Sequence, residues 1–238
     1  MIDINCDLGE SLEFLKTGHD EALMAYIHSV NIACGFHAGD EHIMQKTVEN
    51  ALKHGLNIGA HPGFDDKENF GRTNIELSEN QIIDLISIQL ESLSKIARKL
   101  HHVKPHGALY NMAAKRADYA KAIARAVYDF DSSLILYGLS GSLSISEAQK
   151  MGLGTRSEVF ADRSYLSDGS LAPRTVHRAV LKDTEQIKKQ ISAFVMDTPF
   201  LSLDGTEISV TAETICVHSD TGNALEIAQL VWQEVNQK

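Results

Sequence analysis

Four short apolar runs in this chain each bring a histidine in among glycine and acidic residues: SVNIACGFHAGD (29–40), LNIGAHPGF (56–64), HVKPHGALYN (102–111) and ETICVHSDTGN (213–223). Read as strands, they carry His37, His61, His106 and His218 to one rim of a sheet. In a parallel α/β protein that rim is where ligands bind, because the loops leaving the strand ends converge there.

The segments between these runs have helical length and period. Ile2 and Ile4 alternate with polar residues in a first strand over 1–6, which Asp7-Leu8-Gly9-Glu10 is expected to break. Asp40 suits the N-cap of a helix whose apolar set, Ile43, Met44, Thr47, Val48, Ala51 and Leu52, repeats every 3.6 residues up to Gly55. Ser78 and Gln81 form a capping box for the longest helix, with Ile82, Ile86, Leu90, Leu93, Ile96 and Ala97 along its buried stripe. Strands over 102–104, 134–137, 155–160 and 214–217 and helices over 118–128, 143–151, 187–195 and 224–235 continue the alternation. Residues 161–178 read as irregular, and Leu203-Asp204-Gly205-Thr206 as a hairpin turn. Connections this short between parallel strands are right-handed crossovers. The expected fold is a single α/β domain over 1–238, a seven-stranded parallel β/α barrel, closed or nearly so. A doubly wound open sheet shares the hydrophobic pattern and is the competitor.

A net charge of −10 disfavours a nucleic-acid surface, which needs clustered Lys and Arg. The 238 residues, 43% hydrophobic and 23% charged, can build a full core without staples. Cys6, Cys34 and Cys216 are odd in number and lack CxxC spacing, so reduced thiols in a cytoplasmic setting are expected. The chain has neither a basic-then-apolar leader nor an apolar run of about 18 residues, so neither export nor membrane insertion is expected.

Polar residues gather at the proposed strand ends: Asn5, Asp7 and Glu10; His37 and Asp40; His61 and Arg72; Lys104, His106 and Asn111; Glu158, Asp162 and Arg163; His218 and Asp220. Singly, many have structural explanations, Asp40 as an N-cap and His28 and His54 as helix-borne structural histidines. Together they make one rim a candidate site. The imidazoles of His37, His61, His106 and His218, with Asp7, are possible metal ligands, His37, His61 and His218 being the ones kept as weak candidates, but none has the HxxxH spacing that puts two ligands on one helix. General acid/base work is the leading use. Cys34, near His37, reads as a buried thiol rather than a nucleophile. Gly138 and Gly141, in the turn GLSGSLSIS, open a helix whose free amides suit an anion, although the lysine of a P-loop is missing. Arg72, Asn111, Gly138 and Gly141 are thus the candidate cofactor-binding positions.

The motifs NCDLGE (5–10), NIACGFHAGD (31–40), IGAHPG (58–63), FGR (70–72) and VKPHGALYN (103–111) closely resemble the LamB/YcsF family, nearly from end to end. The resemblance implies a seven-stranded barrel related to glycoside hydrolases and polysaccharide deacetylases. It also implies ATP-dependent opening of 5-oxoproline to L-glutamate, with ATP (and its Mg²⁺) as co-substrate and subunits B and C of 5-oxoprolinase as partners. Self-association is left open. On this reading Asp7 orients His61 or His106 as the base, Lys104 and Arg72 meet anionic oxygens, and His37 and His218 are alternates for proton delivery. A non-catalytic scaffold and a metal-dependent deacetylase are the alternatives. Two departures stand out: His218-Ser219-Asp220 where relatives have His-Gly-Asp, and Phe64 where tyrosine is usual.

Overall fold

The computed structural model describes residues 1–237. Strand β1 (Asp3–Leu8) is joined by two short helices, α1 (Leu12–Thr17) and α2 (His19–Met24), to β2 (Ser29–Ala33). Helix α3 (Glu41–Lys53) leads to β3 (Asn57–His61), and α4 (Glu79–Ala97) to β4 (His102–Val103). Helices α5 (Gly107–Lys115) and α6 (Ala117–Phe130) precede β5 (Ile135–Leu139), and α7 (Leu143–Lys150) precedes β6 (Gly154–Phe160). Helix α8 (Thr184–Met196) and a hairpin of β7 (Phe200–Leu201) and β8 (Glu207–Ile208) come before β9 (Thr214–His218) and α9 (Ala224–Asn236).

Seven strands close into a parallel barrel in the order β1-β2-β3-β4-β5-β6-β9. Closure lies at β9, where Thr214 pairs with Asp3 on one side and Glu158 on the other. That excludes the open sheet. The caps form as their sequences require: Asp40 accepts the Ile43 N–H (2.8 Å), and Ser78 with Gln81 completes a capping box. Among the described residues no helix is long and apolar enough to cross a membrane.

Three local expectations differ. β1 runs through Leu8 rather than breaking at Asp7, because Ile4, Cys6 and Leu8 join the apolar core while the alternate residues Asn5 and Asp7 are bonded inside the barrel. α5 begins directly after His106, ahead of the helix expected over 118–128 and in a stretch for which no helix is expected. His28 is not on a helix; it stands just before β2 and accepts the Ile4 N–H through Nδ1 (3.1 Å).

The barrel interior is polar. Asn31 Nδ2 donates to Asn5 Oδ1 and Asp7 Oδ1 (both 2.7 Å), Asn5 Nδ2 donates to Glu158 Oε1 (3.0 Å), and His102 Nε2 donates to Asn31 Oδ1 (2.7 Å). At the centre Lys104 Nζ lies 2.9 Å from both Asp7 Oδ1 and Glu158 Oε1, and 3.0 Å from Cys216 Sγ. The His102 ring stacks on Tyr137 (4.1 Å, 14°) and lies against Gly59, where a Cβ would fall 2.2 Å from His102 Nε2.

Gly59→Ala is therefore expected to cost about 1–3 kcal/mol by overpacking, read as a lower urea midpoint. Combining it with His102→Ala, which removes the clashing ring, should cost less than the sum of the two single changes. Lys104→Met leaves two buried carboxylates without their cation, and the same measurement should show a loss of about 3–5 kcal/mol.

Candidate active site

The loops after β1 to β4 bring four polar side chains together. His61 ends β3, and its Nδ1 donates to the Lys104 carbonyl (2.7 Å). His106, the residue before α5, donates from Nε2 to the Phe70 carbonyl (2.9 Å). A carbonyl oxygen can only accept, so in the neutral rings both protons lie on these outer nitrogens. His61 Nε2 and His106 Nδ1 then face each other as lone pairs, 2.9 Å apart. His37, in the loop after β2, stacks on His106 (3.9 Å, 5°). Glu10 Oε1 lies 3.5 Å from His37 Nε2, 3.7 Å from His106 Nδ1 and 3.9 Å from His61 Nε2.

Neighbouring elements fix these positions. Asp20, on α2, holds the turn before Glu10 by accepting the Gly9 N–H through Oδ2 (3.0 Å). Gln89, buried on α4, bonds both the N–H and the carbonyl of Gly63 (3.0 and 2.9 Å) and so sets the loop after His61. Gly71 has φ +64°, and a Cβ there would lie 2.8 Å from His37 Cβ, so only glycine lets that loop cross the histidines.

Burial alone would raise Asp7, but its contacts with His61 and Lys104 hold its carboxyl well below the usual range. Burial would strip Lys104 of its proton; Asp7, Cys216 and Glu158 hold it in place and push its pKa up. The pair is therefore ionised. Glu10 is pushed well above the carboxylate range by burial and by the charges of Asp7 and Asp220. Burial moves His37 down strongly and His106 down to about 3, so both rings are neutral near pH 7.

Asp7, His37, His61, Lys104 and His106 thus converge, with Glu10 added. Of the candidate metal ligands, His37, His61 and His106 come together, with Glu10, whereas His218 stands apart in a group with Asp7 and Cys216, so the narrower set His37, His61 and His218 does not form. His218 sits at the end of β9, donating from Nδ1 to Asp162 (2.8 Å). Nor is Lys104 placed to reach an anion from the rim, since its ammonium is buried and its donors are engaged within the barrel. Arg72 is partly exposed and pairs with Asp220 (3.0 Å). Asn111 is exposed on α5. Gly138 lies within β5, and Gly141, with φ +73°, lies in the turn before α7. Cys34 is buried, points its Sγ at the Ile32 carbonyl (3.3 Å) and is raised to about 12 by burial, as an inert thiol requires. Glu10 is not among the residues that spacing ranks as catalytic, although its place two residues past β1 on the same rim is a usable signal. A cavity of about 550 Å³ lined by Ile2, Arg156, Ala212 and Glu213 lies where β1, β6 and β9 begin, at the other end of the barrel.

The model of the LamB/YcsF family matches residues 2–238. A protein of Staphylococcus carnosus, named as the A subunit of 5-oxoprolinase, is 50% identical over 241 residues, covering 100% of this chain and 96% of its own. One of the same name from Shouchella clausii is 47% identical over 96% of this chain and 92% of its own. The crystal structure of the lactam utilization protein of Thermus thermophilus superposes with a TM-score of 0.91 at 39% identity, covering 99% of this chain and 96% of that one. A cellobiose-phosphate cleavage protein of Enterococcus faecalis, described as putative, shares the fold at 13% identity and a TM-score of 0.58. By sequence along its whole length and by structure, the chain belongs to the LamB/YcsF family.

Proposed function

We propose that this chain is the A subunit of an ATP-dependent 5-oxoprolinase and that the His61–His106 pair activates the water that opens the lactam. The names of its full-length relatives supply the substrate class and the expectation of partner subunits. The observation that carries the chemistry is the pinned pair of tautomers, which presents two imidazole lone pairs to the rim beside an ionised Asp7.

A five-membered lactam resists water because its nitrogen lone pair is delocalised into the carbonyl. Transfer of the γ-phosphoryl group of ATP to the amide oxygen releases ADP and leaves the ring carbon electrophilic. Water adds to that carbon and the C–N bond breaks, its electrons and a proton going to the nitrogen. The resulting acyl phosphate is hydrolysed by a second water to glutamate and phosphate. His61 or His106 takes the proton of the attacking water, with Asp7 Oδ2, 3.4 Å from His61 Nε2, stabilising the charge that forms. His37 and His218 are the donors available to the departing nitrogen. Arg72, on the exposed side of the rim, suits the substrate carboxylate or a phosphate, and Asn111, Gly138 and Gly141 are the positions offered for ATP with its Mg²⁺. Subunits B and C complete a cytoplasmic complex in this reading.

In a complex reconstituted with both partner subunits, His61→Ala and His106→Ala are each expected to lower ATP-dependent glutamate release by at least about a hundredfold. Near-normal turnover removes the residue from this role. Full activity of the partners without this chain would reduce it to a scaffold.

A further inference from the structure

We propose that Glu10 Oε1, His61 Nε2 and His106 Nδ1 form a binding site for one divalent transition-metal ion. Two imidazole lone pairs face each other here across 2.9 Å. With both outer nitrogens donating to backbone carbonyls, two neutral rings have no proton to place between them, and two bare nitrogens at that distance repel. Something positive must stand between them. A bridging proton would satisfy the two nitrogens, but it would leave Glu10 Oε1 as it stands, buried and without a hydrogen-bond partner on a side chain only 7% exposed. A cation satisfies all three atoms.

The geometry is that of a metal site. Separations of 2.9, 3.7 and 3.9 Å define a triangle whose circumscribed circle has a radius of about 2.1 Å, matching metal–nitrogen and metal–carboxylate bonds of about 2.0–2.2 Å. An ion at its centre reaches all three donors without movement of the backbone. The surrounding groups fit as well: histidines that hold metals donate their other N–H to a carbonyl or carboxylate, and both rings do so here, to Lys104 and Phe70.

His37 is excluded as a fourth donor in this arrangement. Its ring is parallel to His106 at 3.9 Å, and two stacked rings cannot both hold a common ion in their planes. Its Nε2, 3.5 Å from Glu10 Oε1, instead suits it to position the carboxylate. Three protein donors leave at least one coordination position for an oxygen of water or substrate, the pattern of catalytic rather than structural sites. Two imidazoles and one carboxylate favour zinc, iron or manganese over magnesium or calcium, which prefer all-oxygen shells.

The site is built on the His61–His106 pair of the proposed function, but a bound ion would occupy both lone pairs and would supply the activation of water in place of the rings; it is tested without that function, on the isolated chain. Untagged full-length protein, dialysed against Zn²⁺ and then against metal-free buffer, is expected to retain one zinc per chain by mass spectrometry, and the Co²⁺ form to show visible ligand-field bands. His61→Ala, His106→Ala and the near-isosteric Glu10→Gln should each weaken zinc binding by at least about tenfold, the lower end of what loss of even a supporting outer group costs. His218→Ala, outside the triangle, should leave it unchanged. Zinc affinity equal in the wild type and in Glu10→Gln, with circular dichroism showing both folded, would overturn the site. A metal-free chain whose complex still loses turnover in His61→Ala would overturn the metal and leave the base. Zinc retained by a chain that opens no lactam with its partners would do the reverse.

Discussion

The ammonium of Lys104 is the charge on which the rest of this barrel depends. Two carboxylates, Asp7 and Glu158, lie almost wholly out of water on its axis, and each such ion carries an effective desolvation penalty of several kcal/mol. One cation 2.9 Å from both offsets that penalty together with amide hydrogen bonds to Asp7 Oδ1 and Glu158 Oε1, while Glu158 Oε2 has no hydrogen-bond partner. Asn5 and Asn31 supply those bonds, His102 continues the chain, and Gly59 leaves room for the His102 ring. A barrel of this size is commonly filled by branched aliphatic side chains. Here the apolar residues pack between the strands and the helices, and the axis is a charge network.

That network also orients the rim. Asp7 offers Oδ1 inward to Lys104 and Asn31 and Oδ2 outward to His61 Nε2, so the carboxylate that anchors the interior is the one that faces the histidines. The same lysine contributes its backbone carbonyl to His61 Nδ1 and thereby fixes the tautomer. One residue sets both the charge beside His61 and the direction in which His61 presents its lone pair. His106 is set independently by the Phe70 carbonyl, in a loop that glycine at position 71 allows to pass close to the rings.

The strands, the main helices and their caps are legible in the sequence because local rules decide them: Asp40 and the Ser78–Gln81 box cap as their spacing requires. The continuation of β1 through Asp7 is not, because a polar residue in a strand reads as a break unless its buried partner is known, and that partner is 97 residues away. The histidine rim is legible as a set, since each member follows an apolar run. Its grouping is not. Whether His37 and His61 join His218 or His106 depends on which strands are neighbours and on ring orientation, and spacing encodes neither. Lys104 suits an anion contact by sequence alone for the same reason: its position at a strand end does not show that its side chain turns inward.

Closure is what makes the site possible. β1 and β4 are not neighbours in the barrel, yet Lys104 Nζ, extending from the end of β4, bonds Asp7 Oδ1 on β1, because inward side chains of a closed sheet meet at its axis. In an open twisted sheet the same two positions would be separated by the widths of two intervening strands, about 10 Å or more, and no such bond could form. The closing strand then secures the arrangement from the other side. β9 pairs along β1 as far as Asp7 with His218, and beyond it Ser219 Oγ donates to the Asp7 carbonyl (2.9 Å) while its own carbonyl accepts from His19 Nε2 (2.9 Å). The Ser219 hydroxyl thus adds a bond to the backbone of the residue that joins the interior to the rim. The first and last strands lock around Asp7, and the chemistry of the rim is assembled on the strands that follow it.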